Sequence, residues 1–406
     1  MCFLYLVAGE DNQIPFFRII KMTLKRTLIL CFLLLAIASA GAQSEENPLR
    51  IFGYFQNSLQ QWTAFQERPK QNSFSLQQLN LLFQKDLGPS WTAFVNFEFL
   101  NNFSSSRQWG SFNLEEAWVK YRASMRFNLK FGLLVPIFNN LHEIKNRTPL
   151  LPYIIRPLAY ETSFSEFIPI EVLTPVSAFA QAYGFFPAGE AKFDYAVYVG
   201  NSPNISNDPS RGQTGVDTTA TFLFGGRLGL RYGDLKLGLS ATYDKDNSAE
   251  DLADALNIAR TELSAIPKMR FGGDLSYNFA NFSFESEFIK VSLEKDAPKL
   301  ERNLDFYYAT LGYHFTEALF LYGSYWLLDS HAALPALPNE IKEKENDDIK
   351  VVTFGASYNM LDRVRLKVQF ARIRLDEEEL QLQPEMMVRR TEDDFSVFAL
   401  AVSVTF

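Results

Sequence analysis

Residues 394–406 read DFSVFALAVSVTF and close the chain. Counting back from the last residue, Phe406, Val404, Val402, Leu400 and Phe398 are apolar, while Thr405, Ser403, Ala401 and Ala399 are small or polar. Period two over this length is the mark of a strand with one apolar face. Final residues of soluble domains are ordinarily loose and polar, whereas here the alternation runs to the last residue. A strand of this kind must pair with something, and the rest of the chain says with what.

The same alternation recurs in stretches of roughly ten residues separated by turn chemistry. It is clearest at Phe127–Val135, Leu235–Tyr243, Met269–Phe279 and Val364–Phe370. Sixteen candidate strands follow, from Arg50–Thr63 to Asp393–Phe406. Short links such as Ala123–Ser124, Gly233–Asp234 and Ala280–Asn281 alternate with long ones such as Ile137–Pro175, Ser330–Asp347 and Leu375–Glu392. An even strand count with links sorted by length predicts an all-β fold, a transmembrane antiparallel β-barrel of about 16 strands. Its short turns would be periplasmic and its long loops external. In lipid every backbone group must be paired, so only helices or closed barrels span. The terminal strand then closes against the first, with Phe398 to Phe406 facing lipid. In Leu319–Asp329 both faces are apolar.

Composition agrees. The chain has 406 residues, 47% hydrophobic and 15% aromatic, with 38 Phe and 17 Tyr. Mean hydropathy of −0.09 is too low for a helical membrane protein of this length. A net charge of −8 argues against nucleic acid as a partner. The long apolar run lies near the start: Lys25 and Arg26, an apolar core Leu28–Ile37, then small residues to Ala42. This predicts a secretory signal peptide cleaved after Ala40 or Ala42; the core is too short to span as a helix. Residues 1–42 are thus read as an N-terminal extension plus signal, with a plausible start at Met22, and 43–406 as the barrel. Cys2 and Cys31 both precede the cut, and Leu30 before Cys31 argues against lipidation. The exported chain therefore uses no disulfide.

About sixteen strands enclose an aqueous channel, where eight would be filled by side chains. The link Ile137–Pro175 is too apolar and Pro-rich for a solvated loop, and is expected to fold into the lumen and narrow it. FNLEEAWVKYRASMRFNLKFGLLVPIF (Phe112–Phe138) and AFAQAYGFFPAGEAKFDYAVYVGNSP (Ala178–Pro203) resemble consecutive strand–turn–strand units of bacterial outer-membrane porins, especially the phosphate-selective porin O and P family. The resemblance implies passive diffusion of small hydrophilic solutes, and a homotrimer. The alternating C-terminal strand ending in Phe406 also resembles the signature read by the barrel-assembly machinery of bacterial outer membranes. Lipid and lipopolysaccharide would surround the barrel.

The rival classes are a barrel enzyme, such as a lipase or protease, and a non-conducting adhesin or structural barrel. His142, His314 and His331 lie in unrelated contexts, none beside a nucleophile motif. No Cys/His cluster marks a metal, and no catalytic residue or cofactor is expected. Ala249–Leu263 reads as an amphipathic helix. A TonB-dependent receptor would need about 22 strands and a plug domain.

Selectivity follows from facing. Removing Met1–Ala42 takes away four Lys/Arg and two Asp/Glu, so the net charge moves from −8 to −10. Alternation nevertheless places Lys120, Arg126, Lys130, Lys192, Arg227, Arg231, Lys236, Arg270, Arg365 and Lys367 in the lumen, against Glu98, Glu116, Asp194, Asp274, Glu285 and Glu287. Lys145, Arg147 and Arg156 on the inserted loop add to the basic side. Acidic runs at Glu343–Asp348, Asp376–Glu379 and Glu392–Asp394 are assigned to outer loops. A low-dielectric wall focuses unpaired charge into a pore, so a basic constriction would favour inorganic and other small anions. Charges of both signs could equally serve only to keep the lumen wet. Ala178, Ala180, Ala182 and Gly184 offer a small-residue surface to another protomer if they face outward.

Overall fold

A computed structural model describes residues 47–64, 69–104, 109–144, 147–161, 170–202, 221–246, 266–296, 299–333, 344–381 and 387–406. The expected signal segment, the Ala249–Leu263 helix and Lys145 lie outside the described residues. Within the barrel unit, Arg50–Phe406, the described residues form sixteen strands. They are β1 (Arg50–Trp62), β2 (Gln71–Gly88), β3 (Trp91–Ser104), β4 (Trp109–Arg122), β5 (Asn128–Leu134), β6 (Ala178–Ala188), β7 (Ala191–Gly200) and β8 (Leu223–Tyr232). The second half comprises β9 (Leu235–Asp246), β10 (Ile266–Phe279), β11 (Phe282–Asp296), β12 (Lys299–His314), β13 (Leu319–Ala333), β14 (Lys344–Leu361), β15 (Val364–Gln381) and β16 (Met387–Thr405).

Every strand pairs antiparallel with its sequence neighbours, and β16 pairs with β1, so the sheet is a closed barrel without an edge. At the seam Leu400 lies opposite Leu59 and Phe398 opposite Gln61. Phe406 completes it: its N–H donates to the Gly53 carbonyl and its carbonyl accepts from the Gly53 N–H, both at 2.9 Å. A Cβ on Gly53 would lie 2.6 Å from the Phe406 ring, so the ring can cross the seam only over glycine. Phe398, Leu400, Val402 and Phe406 are exposed on the outer face, as the alternation requires.

From β11 to β16 the apolar face changes sides part-way along each strand. Near the short turns the outward residues are apolar and exposed: Phe282, Tyr307, Leu321, Phe354, Phe370 and Phe398. Higher up, the inward residues are the apolar ones. Ile289, Phe306, Leu328, Ile349 and Leu375 are consecutive cross-strand partners and all buried. One residue away, facing outward, runs Lys290, Asp305, Asp329, Asp348, Asp376 and Glu392, an unbroken charged row over six strands. Charge in this register is incompatible with hydrocarbon, so the lipid-facing band ends at or below this row; on β14–β16 the outward Lys350, Arg374, Asp394 and Arg372 bring its edge one to two rows nearer the short turns. From Phe282 to Lys290 the strand rises roughly 26 Å; with a tilt of about 40° the band is on the order of 20 Å tall, close to that of outer-membrane barrels. The two apolar faces of Leu319–Asp329 are thereby explained: Tyr325 meets lipid, while Trp326 and Leu328 are buried inside.

The inserted loop supplies the partner for this inner apolar surface. Phe138, Leu141, Ile155, Leu158, Tyr160 and Leu173 are almost wholly buried and pack with Trp326, Val351, Ile373 and Phe395 in one core. Each such side chain contributes about 1.5–3 kcal/mol through burial. The described residues of this loop are folded into the lumen, as expected.

Three boundary expectations need correction. Leu375–Glu392 is largely strand, since β15 runs to Gln381 and β16 starts at Met387. Ser330–Asp347 likewise shrinks, because β13 reaches Ala333 and β14 starts at Lys344. The inner core extends up to Leu375, and packing against it carries the strands beyond the lipid band. The acidic runs therefore sit on strands, apart from Glu343, which is outside the described residues. Finally, β5 begins at Asn128 and not at Met125, because Ser124 and Phe127 exchange backbone hydrogen bonds in a turn. Among the described residues no helix is long and apolar enough to cross a membrane.

Candidate pore lining

Opposite the dry core, the inner face of β1–β9 is largely polar, broken by the small apolar clusters of Tyr54, Leu82 and Phe94 and of Leu134, Ala178, Tyr198 and Leu223. Gln56, Ser58, Gln78, Asn80, Asn96 and Glu98 face inward from β1–β3, and Ser240 and Thr242 from β9. A register shift between Asn96 and Phe97 breaks the β3–β4 alternation. It brings Glu115 to the same network as Glu116. Glu115 accepts from Asn96 at 3.0 Å and Asn80 at 3.4 Å, Glu98 from Gln78 at 2.9 Å, and Glu116 from the Trp118 indole at 3.0 Å. The wall facing the loop is therefore acidic. Glu115 was not foreseen; the doubled glutamate interrupting a strict alternation was the available signal.

The predicted basic residues divide into three groups. The first is neutralised. Arg227 lies 2.6 Å from Asp274, on a strand two away, and reaches it over Gly238, where a Cβ would come within 2.2 Å of both groups. Arg270 is buried 2.9 Å from Asp244, and its Nε donates to the Val172 carbonyl. Arg156 is buried with Glu161 at 3.4 Å.

The second group pins the loop. The Lys367 ammonium is buried and donates to Gln56 Oε1 and to the carbonyls of Thr148 and Tyr153 at 2.7–3.1 Å. Arg365 donates to the Leu150 carbonyl. Beside them, Gln369 Oε1 accepts both the Ile154 and Ile155 N–H, and its Nε2 returns a bond to the Ile155 carbonyl. Two acids do the same from β11: Glu287 accepts from the Leu141 N–H and the Tyr160 hydroxyl, and Glu285 from Tyr308 and Tyr153. Burial, followed by the neighbouring glutamate, pushes the Tyr153 and Tyr160 hydroxyls well above their ordinary range, so both stay donors.

The third group faces water near the short turns. Lys120 and Lys130 are directly opposed across β4–β5. The Lys130 ammonium lies 4.8 Å from the Trp118 ring centre and 5.4 Å from that of Tyr183. Lys192 caps the Phe185 ring at 3.6 Å, and half-exposed Arg231 lies 3.5 Å from Asp194. Arg126 sits in the exposed turn before β5 and not on a strand. Arg147 is half-buried on the inserted loop, and Lys236 half-buried on β9. Ala180 and Ala182 pair with Phe131 and Leu129 on the outer face, whereas Ala178 is fully buried beside Leu134.

The histidines are dispersed. His142 is buried against Phe138 and Tyr160, His314 lies on Phe320, and His331 is 2.9 Å from Asp329 on the outer surface. Among the described residues, no group of three His, Cys, Asp or Glu could hold a metal.

Residues 31–378, most of the chain, match the model of the Gram-negative porin family. The chain belongs to this family. It is an outer-membrane channel protein, and solved porin barrels share its fold. The anion-selective porin from Comamonas acidovorans is 13% identical, with a TM-score of 0.57 over 89% of this chain and 100% of that one. The outer membrane channel DcaP of Acinetobacter baumannii is 11% identical, with a TM-score of 0.57 over 90% and 99%. OmpT of Vibrio cholerae, an outer membrane protein, is 10% identical, with a TM-score of 0.56 over 90% and 99%. At these identities the likeness is one of fold. No curated protein sequence matches this porin.

Proposed function

We propose that this porin passes small hydrophilic solutes by passive diffusion along the β1–β9 side of its lumen, with a weak preference for anions. The observation that carries the reading is the unpaired basic group near the short turns. Lys120, Lys130 and Lys192 face the lumen with no ion-pair partner among the described residues. The low-dielectric wall focuses their field into the water. The preference is weak because Glu98, Glu115 and Glu116 line the wall opposite the loop, and because Arg156, Arg227 and Arg270 are neutralised. The dispersal of the three histidines supports a channel over a barrel enzyme.

The test is the reversal potential of the reconstituted porin across a KCl gradient. The sign for chloride preference is expected, and Lys120→Glu with Lys130→Glu should move it toward potassium. Potassium preference in the native barrel would refute the reading. Discrete conductance steps would also set it apart from an adhesin barrel.

Two further roles belong to this proposal. Phe406 serves as the assembly signal, supported by its two backbone hydrogen bonds with Gly53 at the seam. A homotrimer is supported by the small outward surface at Ala180 and Ala182 and by the trimer form recorded for OmpT of Vibrio cholerae. Light scattering of the detergent-solubilised porin reads the second directly.

A further inference from the structure

A cavity of about 430 Å³ opens beside the turn that joins β4 to β5. Its cationic lining is Arg122, Lys192, Arg227 and Arg231, against Asp194 and Glu143. Arg227 is satisfied by Asp274, and Asp194 is shared at 3.5 Å between Arg227 and Arg231. Arg122 and Lys192 have no ion-pair partner among the described residues. The opposed Lys120 and Lys130 add like charge one row away. Like charges facing each other across a ladder are unfavourable, and an anion would relieve them. The cavity also has aromatic walls, Tyr183 and Phe185, the latter with the Lys192 ammonium over its face. Its volume falls within the range of small-molecule sites, roughly 300–1,000 Å³.

We propose that this cavity is a binding subsite for small aromatic carboxylates, with Arg122 and Lys192 on the carboxylate and Tyr183 and Phe185 against the ring. The inference names a solute class for the channel and rests on that reading for how the solute arrives. A bidentate guanidinium–carboxylate contact gives orientation, and the flat aromatic walls favour a ring over a compact inorganic ion.

The test is calorimetric titration of sodium benzoate into the folded full-length barrel in detergent, with inorganic phosphate at matched ionic strength as the second arm. Saturable benzoate binding is expected, at least about tenfold tighter than phosphate. Arg122→Gln combined with Lys192→Gln should weaken benzoate by about a hundredfold, the loss of two charge-assisted contacts. Phe185→Leu should weaken benzoate and leave phosphate unchanged; this second variant keeps the charges and guards against a double variant that fails to fold. Absence of saturable benzoate binding, phosphate binding as tightly, or a folded double variant that binds like the native barrel would each overturn the proposal. Binding does not require conduction. A barrel that binds benzoate but carries no current would sink the channel reading alone, and one that conducts without binding benzoate would sink the subsite alone.

Discussion

The two sides of this lumen are built on opposite principles. Along β11–β16 the upper inner face is a dry core closed by the inserted loop, with the charged row Lys290 to Glu392 on the outside. Along β1–β9 the inner face carries amides, carboxylates and free ammonium groups, while the outer face stays apolar, with Phe131, Leu228 and Leu239 exposed. The first region is a soluble β-wall set on top of a membrane strand. The second is a porin wall in the ordinary sense. One closed sheet holds both, because facing alternates residue by residue and the apolar phase can change on any strand independently of its pairing.

The largest expected effect separates the two phases on a single strand. Phe395→Ala, inside the dry core, should cost about 3–5 kcal/mol of folding stability, while Phe398→Ala on the lipid face should cost less than half of that. The temperature at which the folded band is lost on unboiled gels reads both. Equal losses would break the inside–outside distinction.

Buried and exposed basic residues should differ next. Arg270→Ala removes the buried partner of Asp244 at 2.9 Å and leaves it with the Lys268 ammonium at 3.5 Å and the Ser202 hydroxyl, so it should cost up to about 3 kcal/mol, whereas Arg231→Ala should stay within about 1 kcal/mol. Gly238→Val blocks the passage between Arg227 and Asp274 and should behave like Arg270→Ala, with the anion preference raised or unchanged. Smaller again is Gln369→Ala, which frees two loop N–H groups at about 1–3 kcal/mol; it should broaden single-channel conductance without abolishing the barrel. The smallest effect is spectroscopic. Tryptophan in place of Phe288 should be quenched by brominated lipid, and tryptophan in place of Ser292, above the charged row, should not.

Much of this was legible in the residues. Strand number, closure at Phe398–Phe406 and the entry of Ile137–Pro175 into the lumen all follow from period-two alternation and link length. The phase change was also written, in FARIRL (370–375), where Phe370 and then Ile373 and Leu375 are apolar on opposite faces. It could not be interpreted without the loop, whose packing partner lies over 200 residues away in sequence, as in the Ile155–Gln369 bond. The pairing of the basic residues was illegible for a similar reason. Arg227 meets Asp274 only because an intervening strand carries glycine at the crossing point. Alternation gives the face of a side chain and says nothing of what stands opposite.

Cys2 and Cys31, both ahead of the expected signal cleavage, are the chain's two cysteines, so single cysteines can report each wall separately. The most direct measurement is the response of reconstituted channels to a charged, water-soluble thiol reagent after Lys130→Cys and, separately, Val351→Cys. The account predicts rapid modification and a step in conductance for the first, and neither for the second. Fast modification at Val351→Cys, or a conductance indifferent to modification at Lys130→Cys, would contradict it.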